Sequence, residues 1–334
     1  MGDRLPLFLV TLRVSLLLAA LAANSLATDD RTFATIDFPG STSTLALDIS
    51  AMAEIVGSYN DTKGTHGFLL NRTGQFISID IPDANFTRAT AINGRGDIVG
   101  IYRLVNEPAA ARHGFLLSKG LLTTIDPPGA AFTNPLGING GGEIVGRFCA
   151  TTPCPSDGAN VRGFLLSEGA FSTIDIPGAT GTNAWKINSR GDIVGGYTGT
   201  DGKKHVFLLS LRNRNFITID FPGAAETALD NGGINTQGDI VASYCDTAPC
   251  TSASPDAHGF LLSRGRFTMI DPGVNQPTYA FAINAKGEIV GGYGAGTDVH
   301  GFLGSWDETD DSSPCNAASR RTIRSIKKCL FSLN

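Results

Sequence analysis

The chain has 334 residues, of which 42% are hydrophobic, only 17% are charged and 41 are glycine. A hydrophobic fraction of this size can form a substantial core, which excludes an intrinsically disordered chain. The formal net charge of −5 argues against the basic footprint of a nucleic-acid-binding protein, so we expect no nucleic-acid partner.

Residues 1–27 have the layout of a secretory signal peptide. Arg4 supplies a positive charge, an apolar stretch follows, and the small-x-small sequence Ser-Leu-Ala closes the segment at 25–27. The alternative is an uncleaved membrane anchor, but Arg13 shortens the uninterrupted apolar run to about ten residues, and a spanning helix needs about 20. We therefore expect cleavage after residue 27, export to the periplasm or the extracellular space, and no transmembrane segment in the mature chain.

Residues 28–304 contain six copies of one unit, and three landmarks recur in each copy in a fixed order. The first is F-x-x-I-D-x-P, with the aspartates Asp37, Asp80, Asp126, Asp175, Asp220 and Asp271. The second is I-N-x-x-G-[DE]-I-V-G, with the acids Glu54, Asp97, Glu143, Asp192, Asp239 and Glu288. The third is H-G-F-L-L, with the phenylalanines Phe68, Phe115, Phe164, Phe207, Phe260 and Phe302. Such internal repetition predicts a repeat architecture.

Each unit contains four short strand candidates, which the second unit has at 88–93, 97–102, 113–118 and 121–126. Glycine, asparagine and proline separate the strands, and the repeats show no apolar period of 3.6 residues. The turn Ser-Lys-Gly-Leu at 118–121 fits a two-residue hairpin, because Gly120 tolerates the positive φ of a type I′ turn. The unit is therefore predicted to be a four-stranded antiparallel meander.

The strand sequences I-V-G-x-Y and F-L-L are continuously apolar, which indicates sheets buried on both faces. Periods of 40–50 residues with four strands are typical of propeller repeats, so we expect an all-β, six-bladed β-propeller. An extended array and a two-sheet solenoid are the alternatives. The strand at 33–37 lacks a preceding H-G-F partner, and His300-Gly-Phe-Leu lacks a following F-x-x-I-D. We therefore expect the N-terminal strand to complete the last blade and close the ring.

Over residues 33–304 these ordered landmarks resemble the HAF-repeat proteins, a family of extracellular repeat proteins. The His-Ala-Phe of that family occurs here as His-Gly-Phe at 66–68, 113–115, 258–260 and 300–302, as His-Val-Phe at 205–207 and as Arg-Gly-Phe at 162–164. The family carries no agreed activity or catalytic residues. The resemblance therefore implies export and the repeat fold, and it leaves the function open.

Two cysteine pairs, Cys149/Cys154 and Cys245/Cys250, occupy the same place in the third and fifth repeats. Export and an even cysteine count favour disulfides, each closing a small local loop. The alternative is a zinc site, but the C-x-x-x-x-C spacing is wider than that of the usual zinc fingers. We expect disulfides, no metal and no other cofactor.

The segment 305–334 departs from the repeat. Acidic residues at 307–311 precede Cys315, and five basic residues precede Cys329. Ile323, Ile326 and Leu330 lie at helical spacing, which predicts a short basic helix whose ends a Cys315–Cys329 disulfide joins. The basic residues either form a solvated face or contact a membrane or an anionic polymer, and we favour the solvated face.

A cation at the start of the third strand is expected to pair with the aspartate that follows the fourth strand. Counting outward from the two-residue turn sets His113 opposite Asp126. The six pairs are His66–Asp80, His113–Asp126, Arg162–Asp175, His205–Asp220, His258–Asp271 and His300–Asp37. Arginine replaces histidine in the third repeat, which keeps the charge and argues for an ion pair rather than a metal ligand or a proton shuttle.

No G-x-S-x-G, H-E-x-x-H, Walker-type or calcium-loop motif occurs, so we assign no catalytic residue. We expect an exported, monomeric, non-enzymatic propeller that binds an extracellular glycan or an envelope protein through its variable loops. These loops are 103–112, 147–161, 196–204, 243–257 and 294–299. The alternatives are an extracellular carbohydrate-active enzyme, of the glycoside hydrolase or polysaccharide lyase type, and a structural role in the envelope.

Overall fold

The computed structural model describes residues 33–151, 154, 160–228, 231–251, 254–272 and 276–306. Within these ranges the chain forms 25 β-strands and no helix, as expected for an all-β protein. None of the described residues belongs to a helix that is long and apolar enough to cross a membrane. The expected signal peptide, the expected C-terminal helix and the Cys315–Cys329 bridge lie outside the described residues.

Strand β1 (Phe33–Ile36) precedes the first repeat. The first repeat contains β2 (Ser43–Ile49), β3 (Ile55–Asn60), β4 (Thr65–Leu70) and β5 (Phe76–Ile79). The second contains β6 (Ala84–Ile92), β7 (Ile98–Leu104), β8 (His113–Ser118) and β9 (Leu121–Ile125). The third contains β10 (Phe132–Ile138), β11 (Ile144–Cys149), β12 (Arg162–Ser167) and β13 (Ala170–Ile174).

The fourth repeat contains β14 (Gly181–Ile187), β15 (Asp192–Thr198), β16 (Lys204–Ser210) and β17 (Asn215–Ile219). The first strand of the fifth repeat is split in two, and the repeat contains β18 (Glu226–Thr227), β19 (Gly233–Ile234), β20 (Ile240–Cys245), β21 (Ala257–Ser263) and β22 (Arg266–Ile270). The last contains β23 (Thr278–Ile283), β24 (Glu288–Ala295) and β25 (Asp298–Ser305). Consecutive strands within each repeat pair antiparallel, as the meander predicts, except that β18 and β19 both pair with β20.

The sheets are arranged as a β-propeller, but they are not six separate sheets. Four sheets hold one repeat each, and an eight-stranded sheet joins the first two repeats through one parallel pair, Thr65 opposite Phe86. The six repeats therefore form five sheets, and the first two repeats are not separate from each other. The physical reason is the length of β6, which at nine residues extends far enough at its start to meet β4.

The pairing expected for the N-terminal strand is confirmed. Strand β1 pairs antiparallel with β25, from Phe33 opposite Gly304 to Ile36 opposite Gly301. It supplies the fourth strand that the last repeat lacks. Phe38, just beyond β1, stacks on the ring of Tyr59 with the centroids 3.6 Å apart, which ties this segment to the first repeat as well.

The glycine of the I-V-G sequence lets the phenylalanine of the third strand pack over the second strand. At Gly57 an added Cβ would lie 1.9 Å from the carbonyl oxygen of Leu45 and 2.8 Å from the ring of Phe68. Phe68 is buried, and so are its equivalents Phe115, Phe164, Phe207, Phe260 and Phe302. The second and third landmarks therefore meet in one packing contact.

The hydrophobic core lies between neighbouring sheets. One cluster of buried side chains joins Phe68 of the first repeat with Ala282 and Val290 of the last. Another joins Ile174 of the third repeat with Phe207 of the fourth. Because both faces of a sheet contact neighbours, the strands are continuously apolar rather than alternating.

Asparagines of the second landmark connect the second to sixth repeats each to the next around the inner strands, whereas the first repeat has Ser50 at this place. The Nδ2 group of each donates a hydrogen bond to the backbone carbonyl at the same place in the following repeat. The bonds are Asn93 to Asn139 (3.2 Å), Asn139 to Asn188 (3.3 Å), Asn188 to Asn235 (3.1 Å), Asn235 to Asn284 (3.3 Å) and Asn284 to Ser50 (3.2 Å). The last bond returns from the final repeat to the first.

The same asparagine also builds the hairpin between the first and second strands. Asn93 Oδ1 accepts hydrogen bonds from the backbone N–H groups of Arg95 (2.9 Å) and Asp97 (3.0 Å). Its Nδ2 group donates to the Asp97 carboxylate at 2.9 Å. The acid of the second landmark is thus hydrogen-bonded within its own hairpin. Ser118, at the end of β8, also donates to the Asp97 carboxylate through Oγ.

Candidate functional site

A buried ion pair crosses the centre of the molecule. Lys186 of β14 lies with Nζ 3.3 Å from Oδ2 of Asp48 in β2, and the two residues are only 8% and 7% exposed. Asp48 Oδ2 also accepts the backbone N–H of Ile92 at 2.9 Å, and Lys186 Nζ donates to the carbonyl of Thr90 at 3.0 Å. The pair therefore joins the first, second and fourth repeats.

The sequence interpretation missed both residues, although a comparison of the repeats contains a signal. Asp48 and Lys186 lie opposite the valine of the I-V sequence in the neighbouring strand. The residues at that register position in the other repeats are Ala91, Gly137, Gly233 and Ala282. Two opposite charges thus occupy positions where the remaining repeats have small residues, and they are the only charges there.

Burial governs the ionisation of this pair. It raises the pKa of Asp48 and lowers the pKa of Lys186, because each charge loses its hydration, while the attraction between the two groups opposes both shifts. A substrate cannot reach either group through the packed inner strands. The pair is therefore suited to holding repeats together rather than to acid–base chemistry.

The histidines of the third landmark lie at one end of the sheets, beside the connections between second and third strands. We call this end the loop face, formed by the described residues of these connections: 61–64, 105–112, 150–151, 154, 160–161, 199–203, 246–251, 254–256 and 296–297. Each connection leads into the third strand, whose first residues include the cation. The variable loops and the expected cation–aspartate pairs therefore share one face of the molecule.

The structure places four of the histidines against their expected aspartates. The distances from Nδ1 to the carboxylate are 2.6 Å for His66–Asp80, 2.7 Å for His113–Asp126, 2.9 Å for His205–Asp220 and 3.0 Å for His300–Asp37. Arg162 Nη1 lies 3.5 Å from Asp175 Oδ2. Gly259 pairs with Ile270; His258 directly precedes Gly259 and Asp271 directly follows Ile270, which sets them level in the antiparallel register.

Each histidine also contacts a second carboxylate, which the sequence interpretation missed. These acids lie in the connections between second and third strands or, for Asp298, at the start of the third strand, and each approaches Nε2. The distances are 3.2 Å from His66 to Asp61, 2.8 Å from His113 to Glu107, 3.4 Å from His205 to Asp201, 3.5 Å from His258 to Asp246 and 3.2 Å from His300 to Asp298. The acid lies at a different distance along the chain in each repeat, so no fixed spacing marks it.

A tyrosine of the second strand completes each of these groups. The Tyr59 ring stacks on His66 with the centroids 5.1 Å apart, and its hydroxyl lies 3.0 Å from Ser78 Oγ in the fourth strand. Four further pairs repeat the ring contact: Tyr102–His113, Tyr197–His205, Tyr244–His258 and Tyr293–His300. Three strands of a repeat therefore meet at the histidine.

At His113 and His300 this geometry favours a protonated imidazole. Burial would lower the pKa of His113, but hydrogen bonds to Asp126 and Glu107 and the charges of both acids raise it overall. The pKa of His300 is raised in the same way, against the effect of burial, by Asp37 and Asp298. A protonated ring with both nitrogens bonded offers no lone pair to a metal or a substrate proton. In the described part of the chain, no group of three or more His, Cys, Asp or Glu side chains is arranged to hold a metal ion.

The charge of His113 predicts a pH dependence. Because its folded-state pKa is raised above 6.5, its stabilising effect is complete below about pH 6.5 and is lost as the pH rises through the raised value. We expect His113→Arg to fold, and to gain about 0.2–1 kcal/mol of unfolding free energy relative to the wild type between about pH 6 and pH 9. Urea denaturation of both proteins at the two pH values measures this difference. Parallel pH profiles, or a variant that does not fold, would contradict the ion-pair interpretation.

Both internal cysteine pairs are disulfide-bonded, with Cα–Cα distances of 5.8 Å for Cys149–Cys154 and 5.9 Å for Cys245–Cys250. The loop that the Cys245–Cys250 disulfide closes folds inward. Cys245 and Cys250 are fully buried in a cluster with Tyr279 and Phe281 of the last repeat and Leu47 of the first. The insertion of the fifth repeat thus packs over the inner strands of its neighbours at the loop face.

The first strand of the fifth repeat and the third strand of the fourth repeat hold this disulfide loop in place. The backbone N–H of Cys250 donates to Glu226 Oε2 at 2.8 Å, and Lys204 Nζ donates to the Cys250 carbonyl. The loop and the Asp48–Lys186 pair thus each bring side chains of different repeats together.

No protein-family model and no curated protein sequence matches the chain. Among solved structures, it is similar to a putative TolB from Agrobacterium tumefaciens, with a TM-score of 0.50 and 11% identity over 70% of this chain and 85% of that one. At this identity the likeness shows the fold alone.

Two further structures have lower TM-scores. TolB from Acinetobacter baumannii has a TM-score of 0.47 and 12% identity, covering 79% of this chain and 54% of that chain, so the similarity spans about half of the Acinetobacter protein. The Aleuria aurantia lectin in complex with Fucα1-6GlcNAc has a TM-score of 0.48 and 10% identity, covering 80% of this chain and 93% of that one.

Proposed function

We propose that the protein is an exported, non-enzymatic, six-bladed β-propeller of the HAF-repeat type that binds an extracellular glycan through its loop face. The count of six rests on the asparagine bonds, which pass from the second repeat through the last and return to Ser50 in the first. The shared sheet of the first two repeats then consists of two blades that touch at Thr65 and Phe86. The two disulfides support export, because such bonds persist in oxidising compartments.

One observation carries the non-enzymatic part of this proposal: the repeated polar groups bond to one another. The second-landmark acids bond to asparagines in their own hairpins, and the histidines lie against carboxylates. We propose that these cation–carboxylate pairs, like the disulfides, are structural. What differs between repeats is the set of loops at one face of a rigid ring, where recognition residues are commonly found.

A panel of polysaccharides tests the function. The mature protein is applied to immobilised neutral and acidic glycans, and the same glycans in solution are assayed for new reducing ends and for unsaturated sugars. We expect binding to at least one glycan without products. New reducing ends would instead support a glycoside hydrolase, and unsaturated sugars a polysaccharide lyase. Absence of binding to every glycan would favour an envelope-protein partner or a structural role.

A further inference from the structure

Two arginines converge in the connection between the second and third strands of the second repeat. Arg103 Nη1 donates to the carbonyl of Ala109 at 2.9 Å, and Arg112 Nη1 donates to the same oxygen at 2.8 Å. The two guanidinium groups therefore lie side by side, although like charges repel. Both side chains are partly buried, and they lie on the loop face.

An aromatic ring holds the second of these arginines in position. The Arg112 guanidinium lies over the ring of Phe86, 4.2 Å from its centroid, and that of Arg88 lies 5.7 Å from the same centroid. Arg103 Nε donates to Asn85 Oδ1 at 2.9 Å, next to that ring. We call Arg88, Arg103 and Arg112, gathered around Phe86, the arginine cluster. It is a local concentration of positive charge in a protein whose net charge is −5.

The nearby carboxylate does not neutralise Arg112. Glu107 accepts the backbone N–H of Leu104 through Oε2 and contacts His113 through Oε1. The hydrogen bonds of Arg112 go through Nη1 to the carbonyls of Ala109 and Ala111, and within the described ranges its Nε and Nη2 groups have no hydrogen-bond partner. Burial and the charge of Arg103 both lower the pKa of Arg112. A negative group placed here would attract both guanidinium groups and so oppose this lowering of the pKa.

Other repeats do not carry this arrangement. The residue immediately before the histidine or arginine of the third landmark, which is Arg112 in the second repeat, is Thr65 in the first repeat, Val161 in the third, Ala257 in the fifth and Val299 in the last. Lys204 stands there in the fourth repeat, where its amino group donates to the Cys250 carbonyl. A feature present once in a repeating structure is not required by the repeat itself.

We propose that the arginine cluster binds an oxyanion, the carboxylate or sulfate of an acidic polysaccharide, with Arg112 as its principal donor. The planar guanidinium matches either oxyanion with two parallel hydrogen bonds, and Phe86 fixes its orientation. This inference rests on the proposed glycan-binding function and narrows it to acidic glycans. A protein with an overall negative charge repels polyanions at long range, so binding of one requires a local cationic site.

Three polymers distinguish the sources of the oxyanion: polygalacturonate offers carboxylates, dextran sulfate offers sulfates and dextran offers neither. Binding to the wild type, Arg112→Gln and Arg72→Gln is measured by calorimetry at low salt. Arg72 is an exposed arginine in the hairpin between β4 and β5, at the opposite end of the sheets, and serves as the matched control. Thermal unfolding of each variant verifies that it is folded, and Arg103→Gln provides a second test if Arg112→Gln unfolds.

We expect the wild type and Arg72→Gln to bind one anionic polymer, and Arg112→Gln to bind it at least about tenfold more weakly. Arg112→Lys is expected to recover part of this loss, because it restores the charge but not the paired donors. Equal binding of the anionic polymer by the wild type and a folded Arg112→Gln variant would overturn the proposal that the arginine cluster binds an oxyanion. If dextran bound as tightly as the anionic polymers, the proposed role of the arginine cluster would also be contradicted. The proposed glycan-binding function would stand in that case. If the wild type bound no glycan in the wider panel, both the proposed glycan-binding function and the proposed oxyanion site would be contradicted.

Discussion

Replacing Lys186 by methionine is expected to lower the free energy of unfolding by about 3–5 kcal/mol. The substitution preserves most of the side-chain volume but leaves the buried carboxylate of Asp48 without its cation. Asp48 would keep the hydrogen bond from the Ile92 N–H, which cannot neutralise it. The protein must then bury an uncompensated charge or protonate it. Urea denaturation near neutral pH measures the loss.

Two variants separate this effect from packing. Lys286 is exposed in a hairpin, and Lys286→Met is expected to change the stability by less than about 0.5 kcal/mol. The double variant Asp48→Ala/Lys186→Met removes both charges and is expected to lose less than Lys186→Met alone. A double variant at least as unstable as the single one would show that the lysine acts through its packing, not through its charge.

Deleting residues 28–40 is expected to cost more than about 4 kcal/mol of unfolding free energy. The deletion removes β1 and with it Ile36, which is fully buried, and the Phe38 ring stacked on Tyr59. It also exposes the edge of β25, which would then offer unpaired backbone groups to other chains. Thermal and urea unfolding measure the loss, and light scattering measures the association of exposed edges.

A shorter deletion provides the control for this experiment. Removing residues 28–31 starts at the same point but spares β1, and we expect it to leave the unfolding transition within about 0.5 kcal/mol of the wild type. The comparison isolates the contribution of strand pairing from that of shortening the chain. Equal stability of the two deletion variants would refute closure by β1.

The cation–aspartate geometry could be predicted from the sequence because a tight turn sets the register of the third and fourth strands. Residues Ser118 and Leu121 pair across the Lys-Gly turn, and counting outward fixes every later pair up to Gly114 opposite Ile125. The closing strand was accessible for a similar reason, since the first and last repeats lack complementary landmarks. In both cases a local pattern determines which residues meet.

Contacts between distant repeats could not be predicted from a local pattern in the sequence. Asp48 and Lys186 lie 138 positions apart, and only the curvature of the closed molecule brings their side chains together. The second acid of each histidine group depends on the path of a loop whose length varies, as Glu107 and Asp298 illustrate. The sheet shared by the first two repeats depends on a small extension of β6, which the repeat pattern does not contain.

Hydrogen–deuterium exchange at β1 tests the closed ring most directly. Peptides covering 33–37 are compared with those covering β22, which holds the equivalent outer position in the fifth repeat. If β1 is paired with β25, its amide protons exchange about as slowly as those of β22, because in each case the strand must separate from its sheet before exchange can occur. Exchange of the 33–37 amides at the rate of an unstructured peptide, while β22 stays protected, would contradict closure by the N-terminal strand.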